Sequence, residues 1–136
     1  MVSVNKETEV KRDWASADLG KYLFYRRYTT TDNSAAEVIN INCDENLVYD
    51  AEFKVIVRDA QCSVYGIYHG RAGFYRAEVG NISQIDDTYY DLKYESNTSL
   101  DFDVAVDATN QTIDFSVTGL TGTVLYWSIE VEVMVG

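Results

Sequence analysis

From Leu125 to Val135 the chain alternates without a break. Leu125, Trp127, Ile129, Val131, Val133 and Val135 fall in one set, and Tyr126, Ser128, Glu130, Glu132 and Met134 in the other. Successive side chains of a strand point to opposite faces, so this period of two predicts one long strand that buries its odd residues and wets the even ones. The β-branched content supports the same reading. Such a strand requires a sheet around it and a second layer to cover its apolar face.

The same period recurs upstream. Leu100, Phe102, Val104 and Val106 alternate with Asp101, Asp103, Ala105 and Asp107, and after a polar turn Ile113, Phe115 and Val117 alternate with Asp114, Ser116 and Thr118, which predicts a hairpin. Phe53, Val55 and Val57 form another strand, and Ile39, Ile41 and Cys43 a short one. Cys62 to Tyr68 and Tyr75 to Val79 read as weaker strands, with a reversal over His69–Gly73, where two glycines permit a positive φ. Residues 81–99 read as a long polar surface loop that turns into strand near Leu92 and Tyr94, and Gly119 to Gly122 as a hairpin turn.

Seven to eight short strands separated by turns, with no long helical pattern, predict an antiparallel β-sandwich of jelly-roll or immunoglobulin-like type over residues 31–136. A closed barrel has the same periodicity. Phe53, Phe102, Phe115 and Trp127 are the expected aromatic framework of its core. Residues 1–30 follow neither period and read as an irregular aromatic arm. Its Trp14, Tyr22, Phe24, Tyr25 and Tyr28, with Arg26 and Arg27, are candidates for docking on a partner.

Composition narrows the function. The net charge of -11 argues against nucleic acid as a partner, because phosphate recognition depends on Lys and Arg. The charge is uneven, residues 1–30 being weakly basic and residues 94–136 holding no Lys or Arg at all. No window is long and apolar enough for a membrane helix, and the first residues lack the layout of a signal peptide, so the expected compartment of synthesis is cytoplasm, with Cys43 and Cys62 reduced. The two cysteines match no zinc spacing.

Little in the sequence points to catalysis. His69, the sole histidine, has no Ser or Cys at a triad spacing, and the carboxylate pairs Asp101/Asp103 and Glu130/Glu132 share strand faces, which any solvated strand does. Asp86, Asp87 and Asp91 lack the ligand order of a calcium loop, and Gly119 to Gly122 lacks the lysine of a phosphate loop. The expectation is therefore no enzyme, no cofactor and no metal. Tyr89, Tyr90 and Tyr94, beside those aspartates, are a candidate stacking platform for a glycan.

Three stretches, Ala51 to Arg58, Tyr65 to Phe74, and Ile113 through the Thr118-Gly119 turn to Trp127 and Met134, together resemble β-sandwich domains of tailed-bacteriophage virions, of the head-fibre, decoration-protein and tail-fibre kinds. The resemblance spans about residues 38–136. It implies a non-enzymatic structural protein on the virion exterior, made in the host cytoplasm and acting by assembly with itself, as a homotrimer, and with other virion proteins. A carbohydrate-binding or host-receptor-binding module, taking up a host surface glycan, is the alternative. The chain departs from long fibres in having no coiled-coil heptads and no shaft repeats, so a short attached piece fits better. No membrane insertion is implied.

Overall fold

A computed structural model describes residues 9–12 and 20–136. They form nine strands and no helix: β1 (Glu9–Arg12), β2 (Gly20–Thr30), β3 (Ala35–Asn42), β4 (Leu47–Arg58), β5 (Tyr65–Arg76), β6 (Ser83–Glu95), β7 (Asp101–Asp107), β8 (Thr112–Thr118) and β9 (Leu125–Val135). One sheet has the order β1-β2-β9-β4-β5-β6, the other β3-β8-β7. All pairings are antiparallel. The chain is an antiparallel β-sandwich. Because β2 pairs with β9 and β3 with β8, the β2–β3 and β8–β9 ribbons cross between the sheets together, in the nested manner of a jelly roll.

The alternation at the end of the chain is realised in full, with every odd residue of β9 buried and no even one. Its position explains this. β9 lies in the interior of the six-stranded sheet, hydrogen-bonded to β2 on one side and β4 on the other, while β8 and its neighbours cover the inner face. Phe102 sits at the centre of the core, within 5.0–6.2 Å ring-to-ring of Phe53, Tyr68 and Phe115, and Tyr68 stacks in turn on Trp127 at 6.5 Å. Offset ring contacts at these separations add to the burial of so much aromatic area.

Several expectations give way. The segment expected as an irregular arm contains β2, which pairs with β9 along its whole length, so the sandwich begins by Gly20 and a boundary at residue 30 would divide it. Tyr22 and Phe24 belong to the core, and only outward residues of β2 remain available to a partner. Trp14 lies outside the described residues. The reversal expected at His69–Gly73 is the middle of β5, which ends at Arg76, so Ala77 to Val79 are no part of a strand. The long loop expected over 81–99 is largely β6.

Glycines hide β5, and bulges hide β6. Glycine inside a strand can mark the close approach of another backbone instead of a turn. A Cβ at Gly70 would collide with the Tyr89 carbonyl oxygen and the Phe53 ring. The pairing of β5 with β6 shifts register between His69 and Gly70 and again between Arg71 and Gly73, leaving Asp91 and then Asp86 to Thr88 bulged out. Asp86 has φ 62°, a left-handed conformation that Asp tolerates better than most residues. Bulges and charges on β6 also keep this edge of the sheet from pairing freely with other chains.

Candidate functional site

The inner face of the six-stranded sheet is covered; its outer face is open. The registers place outward residues in rows that cross five strands. One row runs Arg27, Ser128, Ile56, Ile67 and Tyr94, and the next Tyr25, Glu130, Lys54, His69 and Leu92. A third runs Leu23, Glu132, Glu52, Arg71 and Tyr89, while Tyr126, Arg58 and Tyr65 lie together at the end of the sheet. Ile56, Tyr89, Tyr94 and Met134 are each at least half exposed, and Tyr65, Leu92 and Tyr126 nearly so. Single exposed apolar side chains are ordinary; several on one sheet face make that face the candidate site.

Two concavities indent this face. The larger, of about 880 Å³, is bordered by Arg27, Ile56, Arg58, Tyr65, Ile67 and Tyr126, with the exposed Cys62 at its rim. Tyr65 and Tyr94 stack with an interplanar angle of 21° and a centroid separation of 5.7 Å, and Arg58 lies over the Tyr126 ring at 5.4 Å. The smaller, of about 380 Å³, is bordered by side chains of both charges, Glu52, Lys54, Arg71, Glu130 and Glu132 among them, and by His69. Here cations meet carboxylates of the same sheet: Lys21 reaches Glu132 at 3.1 Å and Arg71 reaches Asp50 at 2.8 Å. Exposed pairs of this kind fix side-chain geometry more than they stabilise the fold.

The loop from Asp59 to Val64 shapes one rim of the larger concavity. Asp59 accepts hydrogen bonds from the Ser63 amide, at 2.7 Å, and from the Ser63 hydroxyl, and these hold its carboxyl below the usual range. The Cys62 amide donates to the Asp59 carbonyl, and Cys62 itself has φ 57°. By contrast Cys43 is buried, donates its thiol to the Ile41 carbonyl, and is pushed up to about 12, chiefly by burial.

The tyrosines proposed as a glycan platform separate. Tyr89 and Tyr94 stand on the outer face, whereas Tyr90 turns inward, packs edge-on against Phe53 at 5.5 Å and donates its hydroxyl to the Phe102 carbonyl. Burial and the nearby Asp103 push its phenol up to about 12. Tyr89 and Tyr94 are an odd number of residues apart, and only the bulge at Asp91 puts them on one side. Tyr65 and Tyr126, not singled out from the sequence, belong with Tyr94; the even phase of β9, which places Tyr126 outward, was the signal available.

Of the arm residues, Tyr25 and Arg27 are on the outer face, with Arg27 Nε donating to the Tyr25 hydroxyl at 3.1 Å. Arg26 is on the inner side, where its guanidinium donates to the Val38 carbonyl at the bulge of β3 and lies 4.9 Å from the Tyr28 ring, itself half-buried. Phe53, Phe102, Phe115 and Trp127 are all buried. His69 faces the smaller concavity from the middle of β5.

The outer face of the three-stranded sheet has another character. Glu37, Asp114, Asp101, Asp103 and Asp107 project there without a basic residue among them. Asp114 accepts hydrogen bonds from Asn40 at 2.8 Å and from the Thr112 hydroxyl at 2.7 Å, which accounts for its burial. Among the described residues no cluster of three or more His, Cys, Asp or Glu could hold a metal ion. No family model, curated protein or solved structure matches this chain.

Proposed function

We propose that this chain is a non-enzymatic structural protein of a tailed-phage virion, displayed on the particle exterior as a decoration, head-fibre or tail-fibre component and acting through protein–protein assembly. The observation that carries the reading is the open outer face of the six-stranded sheet, where half-exposed Tyr, Ile, Leu and Met side chains from adjacent strands stand over a sheet whose other face is already packed. Covering that face removes apolar surface from water without any change in the fold, which is how a preformed assembly surface works. The virion assignment rests on the strand and turn layout shared with phage sandwich domains.

The route of assembly differs from one in which the last strand pairs with another copy. Both edges of β9 are occupied by β2 and β4, so its backbone groups have none to spare. A homotrimer, if formed, assembles through side chains of a sheet face, in a closed heterologous ring. The test is to purify particles of the phage that encodes the chain, quantify it by mass spectrometry and image its density. Stoichiometric external density is expected; a chain found only free in the host lysate contradicts the reading.

A second reading, a carbohydrate-binding or host-receptor-binding module, is favoured by the stacked and partly exposed Tyr65 and Tyr94 rings, an aromatic surface of the kind that the apolar side of a sugar ring packs on. A glycan array probed with the purified chain discriminates: retention of a glycan that is lost in Tyr94→Ala supports the module.

A further inference from the structure

We infer that the end of the outer face around Arg58 is a binding site for a terminal sugar residue that bears one carboxylate, carried on an otherwise neutral glycan. The inference deepens the second reading given above, the glycan-binding module, and rests on it.

Strand order assembles the site. Arg58 of β4 lies between Tyr126 of β9 and Tyr65 of β5, all three in one outward row. The neighbouring outward row runs Ser128, Ile56, Ile67 and Tyr94 across β9, β4, β5 and β6. The three tyrosines and Ile56 are exposed. Apart from Tyr94, which stacks on Tyr65, all of these residues border the concavity of about 880 Å³, a size that suits a small-molecule ligand.

The chemistry of the lining narrows the ligand. Arg58 lies over the Tyr126 ring and donates from Nη1 to the Asp59 carbonyl at 3.0 Å, and among the described residues it makes no ion pair. The adjacent Asp59 carboxyl is turned into its own loop by Ser63. A guanidinium held by stacking is already oriented for two-point pairing with a carboxylate. The net charge of -11 repels polyanions at long range, which favours a single carboxylate over a polyuronate. Beside Arg58, Ile56, Ile67 and the tyrosine rings offer apolar surface to one side of a sugar ring, and the hydroxyls of Tyr65, Tyr126 and Ser128 offer donors and acceptors to its own hydroxyls. A peptide adding to a sheet is held by main-chain hydrogen bonds, but β9, β4 and β5 are each paired on both sides and have none to give. A sugar needs only the side chains.

The probe is an array of oligosaccharides ending in one sialic or uronic acid, each printed beside its methyl ester and its neutral parent, together with an acidic peptide alternating glutamate and leucine. With the full chain, at least one acid-terminated glycan is expected to be retained and its methyl ester to bind at least about tenfold more weakly. Titrated against that glycan, Arg58→Gln is expected to cost about tenfold or more, and Arg58→Lys, which keeps the charge but not the planar fork, to recover only part of the loss. Lys54→Gln removes a cation of the same face outside the concavity and is expected to stay within about twofold of the parent. Circular dichroism checks that every variant is folded. Failure to retain any acid-terminated glycan, equal binding of acid and ester, an equal loss in Lys54→Gln, or stronger retention of the acidic peptide would each overturn the inference. If a neutral glycan is retained as well as its acidic counterpart and is lost in Tyr94→Ala, the carboxylate inference falls and the glycan-binding reading stands; if no glycan is retained, both fall.

Discussion

The indole N–H of Trp127 donates to the Thr30 hydroxyl at 2.9 Å, joining two residues 97 apart in sequence inside the core. The bond ties the start of β9 to the end of β2, and both groups are buried. Trp127→Ala removes the bond and the largest side chain buried among the described residues together. The expected loss is about 3–5 kcal/mol in urea denaturation, a large share of the stability of a domain this size. Thr30→Val leaves the indole N–H unpaired and is expected to cost about 1–3 kcal/mol. A Trp127→Ala protein as stable as the parent would contradict this packing.

Two glycines of β5 separate turn chemistry from close approach. Gly70→Ala drives a methyl into the Tyr89 carbonyl and the Phe53 ring, and is expected to destabilise by at least about 1–3 kcal/mol. Gly73→Ala meets nothing nearer than 3.8 Å and is expected to be neutral or stabilising by up to about 1 kcal/mol. Parallel denaturation curves check the pair, and equal effects would show that β5 does not run straight through this region.

That strand illustrates which parts of the fold could be read in advance. β9, β7 and β8 are legible because each has one apolar and one polar set. β2 is not, because outward Leu23 and Tyr25 are as apolar as inward Tyr22 and Phe24, which erases the period. β5 hides behind glycines, and β6 changes phase at Asp91, so Tyr90 enters the core while Tyr89 and Tyr94 share the outer face. The candidate site was half legible for the same reason. Tyr94 and Arg27 were in view, but their meeting with Tyr126 and Arg58 depends on strand order, which no local pattern encodes.

The thiols should differ sharply. Cys62 is exposed and Cys43 buried, with its thiol pushed up to about 12. A disulfide reagent at neutral pH is expected to titrate one thiol per folded chain promptly and the second only after denaturant is added, because thiolate fraction and access both govern the rate. Prompt reaction of both would place Cys43 outside the core.

Alkaline pH should unfold the protein through its buried phenols. Tyr49, Tyr68 and Tyr90 are all pushed above the ordinary tyrosine value, mainly by burial, with Glu95 adding to the effect at Tyr68 through a 2.6 Å hydrogen bond. For an acid whose folded pKa is raised, the stabilising contribution is complete below the unfolded value near 10 and is lost as pH rises above it. Spectrophotometric titration is expected to show the phenolate of these three rings appearing together with loss of near-ultraviolet dichroism. Full ionisation with the fold intact would contradict the burial of these rings.

The claim that the outer face of the six-stranded sheet is the assembly surface is tested most directly by comparing two chains in particle attachment. Ile56→Glu places a charge on that face, and Asp103→Lys alters the opposite face of the sandwich to a similar extent. With both purified chains folded, the content of each in particles is measured by quantitative mass spectrometry. The account predicts that Ile56→Glu is depleted at least about tenfold while Asp103→Lys is retained. Retention of Ile56→Glu at the parental level, with loss of Asp103→Lys, would contradict it.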